Sequence, residues 1–195
     1  MADPPLRPDW ALIADLHLTQ MTLGFREVAQ KRLRWRSRIR RAGLRSAPRL
    51  LAPVVRGPGG AINLVDRHHL VCAVGAEGVH EGLIRPIANL TALQPDDFWR
   101  TLDARGWRHP YDAAERRQAF GEIPAKIDDL QDDPFRSLAS ALRRAGGVAK
   151  KSTPFSGRAL ILAGTPAARG LPGWMAEPQW KLNASASLAS PNVAR

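Results

Sequence analysis

Apolar residues along this chain recur with two periods, and each change of period marks the boundary of an element. "WALIADL", residues 10–16, reads as a short first strand. In the stretch that follows, Phe25, Val28, Arg32, Trp35 and Ile39 fall three and four apart, which is the spacing of one helical face. Thr22 stands where a cap would open that helix and Gly43 where one would end it. Lys31, Arg34, Arg38 and Arg41 fall on a neighbouring face, with Glu27 at its start, so an apolar stripe runs beside a cationic one. "APVVRGPGGAINLVD" predicts two strands around a Gly-Pro-Gly-Gly turn, whose glycine spacing is that of a hairpin and not of a phosphate loop. A helical pattern then runs from His68 to Ala76. "EGLIRPIANL" predicts a strand in which Pro86 marks an edge or a bulge. "QPDDFWRTLDARG" predicts a helix with Pro95 and two acids in its first turn and Gly106 just past its end. "WRHPYDAAERRQAFGEIP" reads as loop, and "DDPFRSLASALRRAGG" as a last helix with Pro134 in its first turn and Gly146 or Gly147 as its C-cap.

After Phe155 the character changes. Residues 156–195 are more than half Gly, Pro, Ala and Ser, carry Glu177 as their one acid and show no sustained period, so a poorly ordered tail is expected. The remainder, residues 10–155, is expected to be one domain, which suits a chain of 195 residues. Cys72 is the single cysteine, which rules out a disulfide framework within one chain and suits a reducing compartment. No apolar window is long enough to span a membrane, and the first ten residues lack the pattern of a signal peptide. The expectation is a soluble, cytoplasmic protein with no membrane partner.

Charge adds an orientation. The net charge of +11 attracts polyanions, nucleic acid above all. It is unevenly spread. Residues 28–65 hold ten Lys or Arg and no acid, whereas residues 94–135 hold ten acids against six bases. Lys31, Arg34, Arg38 and Arg41 are therefore candidates for nucleic-acid contact.

The least ordinary chemistry lies in "INLVDRHHLVCAV", where Asp66, Arg67, His68 and His69 interrupt an apolar pattern at a strand-to-helix junction. Asp66 reads as the N-cap. Cations are misplaced at a helix N-terminus, because that end of the dipole is already positive. Arg67, His68 and His69 make better sense if a phosphate or carboxylate docks there on backbone N–H groups. Asp66 is also a candidate to hold Mg2+ together with a bound nucleotide. No Cys/His spacing resembles a zinc site.

The segments "TQMTLGFREVAQKR", "GPGG" followed by "LVDRHHL", "GWRHPYD" and "DDPFRSLA" with "LRRAGG", in that order, resemble the ParB-like nuclease family of the ParB/sulfiredoxin superfamily. The resemblance covers about residues 15–155. It implies an α+β fold, a small mixed sheet flanked by helices, with extra C-terminal helices and an irregular tail. The superfamily places a Gly-x-His-Arg or Asp-Gly-His-His-Arg type motif at a helix N-terminus, where it contacts phosphate. Asp66, His68 and His69 match that motif's acid and its two polar positions. Arg67 stands where kinase-type relatives have glycine, and Leu70 where they have the phosphate-binding arginine. Cys72 does not align with the sulfiredoxin cysteine. Glu27 matches the position of a carboxylate base in kinase-type relatives, with an ion pair to Lys31 as its plainer role. His109 and Tyr111 of "GWRHPYD" are candidates to line the site. The family's usual aromatic-rich ending is replaced after Phe155, as a frame change or a lineage-specific extension would do.

Three functions follow as expectations. The domain binds or cleaves a nucleotide or nucleic-acid phosphate, with Asp66, His68 and His69 in the pocket. It binds DNA without catalysis through its basic first helix. Or it phosphorylates a small metabolite with Glu27 as base.

Overall fold

The computed structural model describes residues 6–42 and 50–144. Its elements are β1 (Asp9–Leu12), β2 (Leu16–His17), β3 (Thr22–Leu23), α1 (Phe25–Ala42), β4 (Ala52–Arg56), β5 (Ile62–Leu64), α2 (His68–Gly75), β6 (Glu81–Asn89), α3 (Pro95–Ala104), β7 (Gln131–Asp132) and α4 (Pro134–Arg144). Five strands form one mixed, curled sheet in the order β1-β6-β4-β5-β2, and β3 pairs with β7 in parallel. The fold is α+β.

Alternation along the strands assigns the two sheet faces. Ala52, Val54, Leu64 and Ile84 turn to one face, where Val71 and Val74 of α2 and the partly buried Trp35 and Ile39 of α1 cover them. Val55 turns to the other, against Phe98 and Leu102 of α3. Burial of side chains this size stabilises by roughly 1.5–3 kcal/mol each. Gly82 is required by packing, since a Cβ there would lie 2.3 Å from Leu50 Cδ1. Among the described residues no helix is long and apolar enough to cross a membrane.

Three expectations change, and for Pro86 the structure selects the second of its two alternatives. The first strand breaks at a 3-10 turn over Ile13–Asp15, because β1 and β2 lie on opposite edges of the sheet and the chain must step between them. Thr22 does not cap α1. It sits in β3, and the start of α1 is held by Asp132 Oδ1, which accepts the Phe25 N–H at 2.7 Å. Pro86 lies in an interior strand and not on an edge. Its missing N–H is absorbed by a bulge, where the β4 register passes from Pro86 to Ala88 between Val54 and Val55. Asp66 is not the N-cap of α2, as described below. Gly43, Gly146, Gly147 and the tail at 156–195 lie outside the described residues.

Candidate functional site

The link from β5 to α2 turns sharply at Arg67, whose φ of 66° and ψ of 21° are left-handed. This residue occupies the cap position and α2 has no side-chain cap. Asp66 is exposed and its Oδ1 accepts the Arg67 N–H at 2.6 Å, so its carboxylate serves the turn and not the helix. Arg67 also turns its guanidinium back to the strand side, donating from Nη1 to the Leu50 carbonyl at 2.5 Å. The three basic side chains therefore do not crowd the helix end as three cations. His68 is 4% exposed. Burial, then Arg136 and His69, hold its pKa well below the ordinary histidine value, so it stays neutral. One ring N–H donates to the Leu64 carbonyl, while Nε2 is buried with no hydrogen-bond partner. In that tautomer Nε2 carries a lone pair. His69 is half-buried, and its Nε2 accepts the Gly24 N–H at 3.0 Å, tying α2 to the start of α1.

Two further segments close on this junction. Residues 19–21 run beside His109: the His109 N–H donates to Thr19 O at 2.7 Å, the Met21 N–H donates to His109 O at 3.3 Å, and Gln20 bridges His109 in parallel. His109 is buried and its pKa is lowered to about 3 by burial and by Arg136. From the other side comes the start of α4. Asp133 Oδ1 accepts the Phe135 N–H at 2.9 Å and caps it. Arg136, buried, donates from Nη1 to the Thr22 carbonyl. Ser137 packs so closely on Gly24 that a Cβ on Gly24 would lie 2.6 Å from both Ser137 N and Oγ. Three helix starts, those of α1, α2 and α4, thus converge; the positive dipole ends of α1 and α4 already face the carboxylates of Asp132 and Asp133, while that of α2 has no side-chain cap. Within this junction Gln20 Nε2, Thr22 Oγ1, His68 Nε2 and Ser137 Oγ are buried without a hydrogen-bond partner.

The remaining sequence candidates lie around this centre. Tyr111 lies beside His109 with ring centroids 5.0 Å apart and the rings tilted by 42°. Glu27 is buried, with Oε1 3.0 Å from Lys31 Nζ and Oε2 bonded to Arg144 Nη1. Burial opposes its ionisation, but Arg144 and Lys31 outweigh this and bring its pKa below the ordinary carboxylate value. Glu27 therefore links α1 to α4 as an anion with both oxygens engaged. Arg32, expected within the apolar stripe, pairs with Glu77 at 2.8 Å, as does Arg36 at 2.9 Å. Lys31, Arg34, Arg38 and Arg41 line a separate groove with Trp35 and Leu70. No group of three or more His, Cys, Asp and Glu side chains among the described residues is arranged to hold a metal ion.

Residues 11–157 match the family described as "Putative ParB-like nuclease". The chain belongs to this ParB-like nuclease family. The fold is similar to the crystal structure of protein Atu1540 from Agrobacterium tumefaciens, with 44% identity over 77% of this chain and 75% of that chain and a TM-score of 0.68. Among curated proteins, none matches.

Sequence reasoning singled out His68, His69 and His109, and the fold sets their side chains close together. It missed Gln20, Thr22, Arg136 and Ser137. Those residues stand inside "TQMTLG" and "DDPFRSLA", two segments that carry the ParB-like resemblance, in which Thr22 alone has an expected role, that of a helix cap. The signal available was a polar residue repeated inside an otherwise apolar junction.

Proposed function

We propose that the domain binds a phosphate group of a nucleotide or nucleic acid where α1, α2 and α4 begin, and cleaves a phosphoester bond there. The observation that carries the reading is the set of buried, unpartnered polar atoms on Gln20, Thr22, His68 and Ser137 around the uncapped start of α2. Buried polar groups are nearly always hydrogen-bonded, so a cluster of exceptions asks for a ligand. The Gln20 amide and the two hydroxyls offer donors to phosphate oxygens, and the α2 dipole favours the anion. His68 has the complementary role. With its other nitrogen tied to Leu64, Nε2 accepts a hydrogen bond from an attacking water or hydroxyl. Its depressed pKa makes it a weak base but keeps it unprotonated across the neutral range. In hydrolysis the water oxygen would bond to phosphorus, its proton would pass to Nε2, and the leaving oxygen would take a proton from solvent. A magnesium ion arriving with the phosphate would find the carboxylate of Asp66 at the α2 turn and those of Asp132 and Asp133 at the starts of α1 and α4; no step here is routed through it.

The test is cleavage of single-stranded and duplex oligonucleotides in Mg2+ or Mn2+ buffer, beside thermal protection by nucleotides and pyrophosphate. His68→Ala should lower the cleavage rate by about 10²–10⁴-fold. Ser137→Ala and Gln20→Ala should weaken thermal protection. Equal rates in wild type and His68→Ala, or equal protection of all variants, would sink the proposal.

A further inference from the structure

The groove on α1 stands apart from the phosphate junction. It has a volume of about 360 Å³ and is lined by Lys31, Arg34, Trp35, Arg38, Arg41 and Leu70. The four cations span ten residues of one helix face, a length of about 15 Å at 1.5 Å per residue. Lys31 is paired to Glu27, but Arg34, Arg38 and Arg41 have no carboxylate partner among the described residues. Their neighbours Arg32 and Arg36, by contrast, share an ion pair with Glu77. The helix thus divides its cations between an internal ion-pair network and an open row. The open row also holds an aromatic ring: Trp35 is half-buried, with the Arg38 guanidinium carbon 5.2 Å from its centroid.

We infer that this groove is a binding track for single-stranded nucleic acid. A row of unneutralised arginines fits a phosphate backbone of either form. The aromatic floor selects between the forms. A duplex hides its base faces, whereas an unpaired strand offers them for stacking on tryptophan and arginine. Leu70, which follows His69 in α2, supplies the apolar wall of the groove opposite α1. Binding itself needs neither cleavage nor metal, and the inference stands or falls separately from that reading.

The test is fluorescence anisotropy of a labelled single strand and of the same sequence as duplex, in chelator, over a range of salt. The single strand should bind more tightly, with a slope of log K against log salt near −2 for phosphate contacts from the three unpaired arginines. Arg34→Gln should weaken binding and reduce the slope by about 0.7. Trp35→Leu retains an apolar group against the core but removes the ring. It should weaken single-strand binding about tenfold with the slope unchanged. Arg100→Gln, an exposed cation of α3 paired with Asp97, should change nothing. Melting curves confirm that each variant is folded, and Trp35→Phe should restore most of the affinity. Duplex binding as tight as single-strand binding, an unaltered affinity in Trp35→Leu, or tighter binding of polyglutamate than of the oligonucleotide at the same salt would each overturn the inference.

Discussion

The junction of helix starts and the groove on α1 both begin as basic residues in the sequence, and the fold treats them in opposite ways. At the junction His68 and His109 are buried and neutral, and Arg136 is buried against the Thr22 carbonyl. In the groove Arg34, Arg38 and Arg41 keep their charge in water. The first region is built by packing and answers to geometry; the second takes all its charge from one helix and answers to ionic strength. A count of basic residues cannot separate the two, and burial does.

The largest expected effect breaks the junction by one methyl group. A Cβ at Gly24 would meet the Ser137 main-chain nitrogen at 2.6 Å, so α1 and α4 must separate for it to fit. Gly24→Ala should destabilise by about 2–3 kcal/mol in urea denaturation. Gly121→Ala, which meets nothing within 4 Å, should stay within about 0.5 kcal/mol. Equal costs at the two glycines would mean that the junction yields and its buried polar atoms are not fixed by packing.

Acid should act on the same region. An unfolded histidine takes up a proton below about 6.5, while native His109 resists until about 3 and native His68 is likewise depressed. Between those values the unfolded state holds more protons, so stability falls as pH falls. Lowering the pH from 7 to 5.5 should cost about 1 kcal/mol per histidine, or about 2 kcal/mol together. His109→Asn should remove about half of that loss. Glu27 has the depressed-carboxylate sign, and its contribution is lost only at pH below the ordinary carboxylate range. A flat profile between pH 7 and 5.5 would place both imidazoles in water.

What the sequence showed and hid follows the same division. The hairpin of β4 and β5 and all four helices were legible because each is long enough to show a period. β3 and β7 are two residues each and show none. His68 and His69 were legible as titratable groups in an apolar setting, and His109 through the family segment "GWRHPYD". Arg136, Ser137, Gln20 and Thr22 were not, because their surroundings come from distant segments. Residues 45 apart join Gly24 to His69, 107 join Phe25 to Asp132, and 114 join Arg136 to Thr22. Asp66 was misread as a cap because the chain needed one more residue to turn, and Arg67 took the left-handed conformation instead.

That turn gives the next effect in size. Kinase-type relatives place glycine where Arg67 stands, and a φ of 66° is the region glycine enters at little cost. Arg67→Ala loses the bond to Leu50 O and keeps the strained backbone; Arg67→Gly loses the same bond and relieves the strain. The glycine variant should be the more stable of the two by about 1 kcal/mol. If alanine is as stable as glycine, the turn is not held left-handed in solution.

The smallest effect has the opposite sign and defines the groove. Arg34 lies three residues from Lys31 and four from Arg38, so its charge is repelled along the helix face from both directions. It makes no ion pair among the described residues that would offset this. Arg34→Gln keeps helix propensity nearly constant and removes two like-charge neighbours. It should therefore stabilise the domain by a few tenths of a kcal/mol at low salt, and by less as salt rises. A side chain that lowers stability, is exposed and yet aligns with three other cations is what a surface shaped by binding would hold. If Arg34→Gln instead lowers stability, Arg34 has a partner in the native fold, and the contrast between a packed junction and an open cationic row fails at that residue.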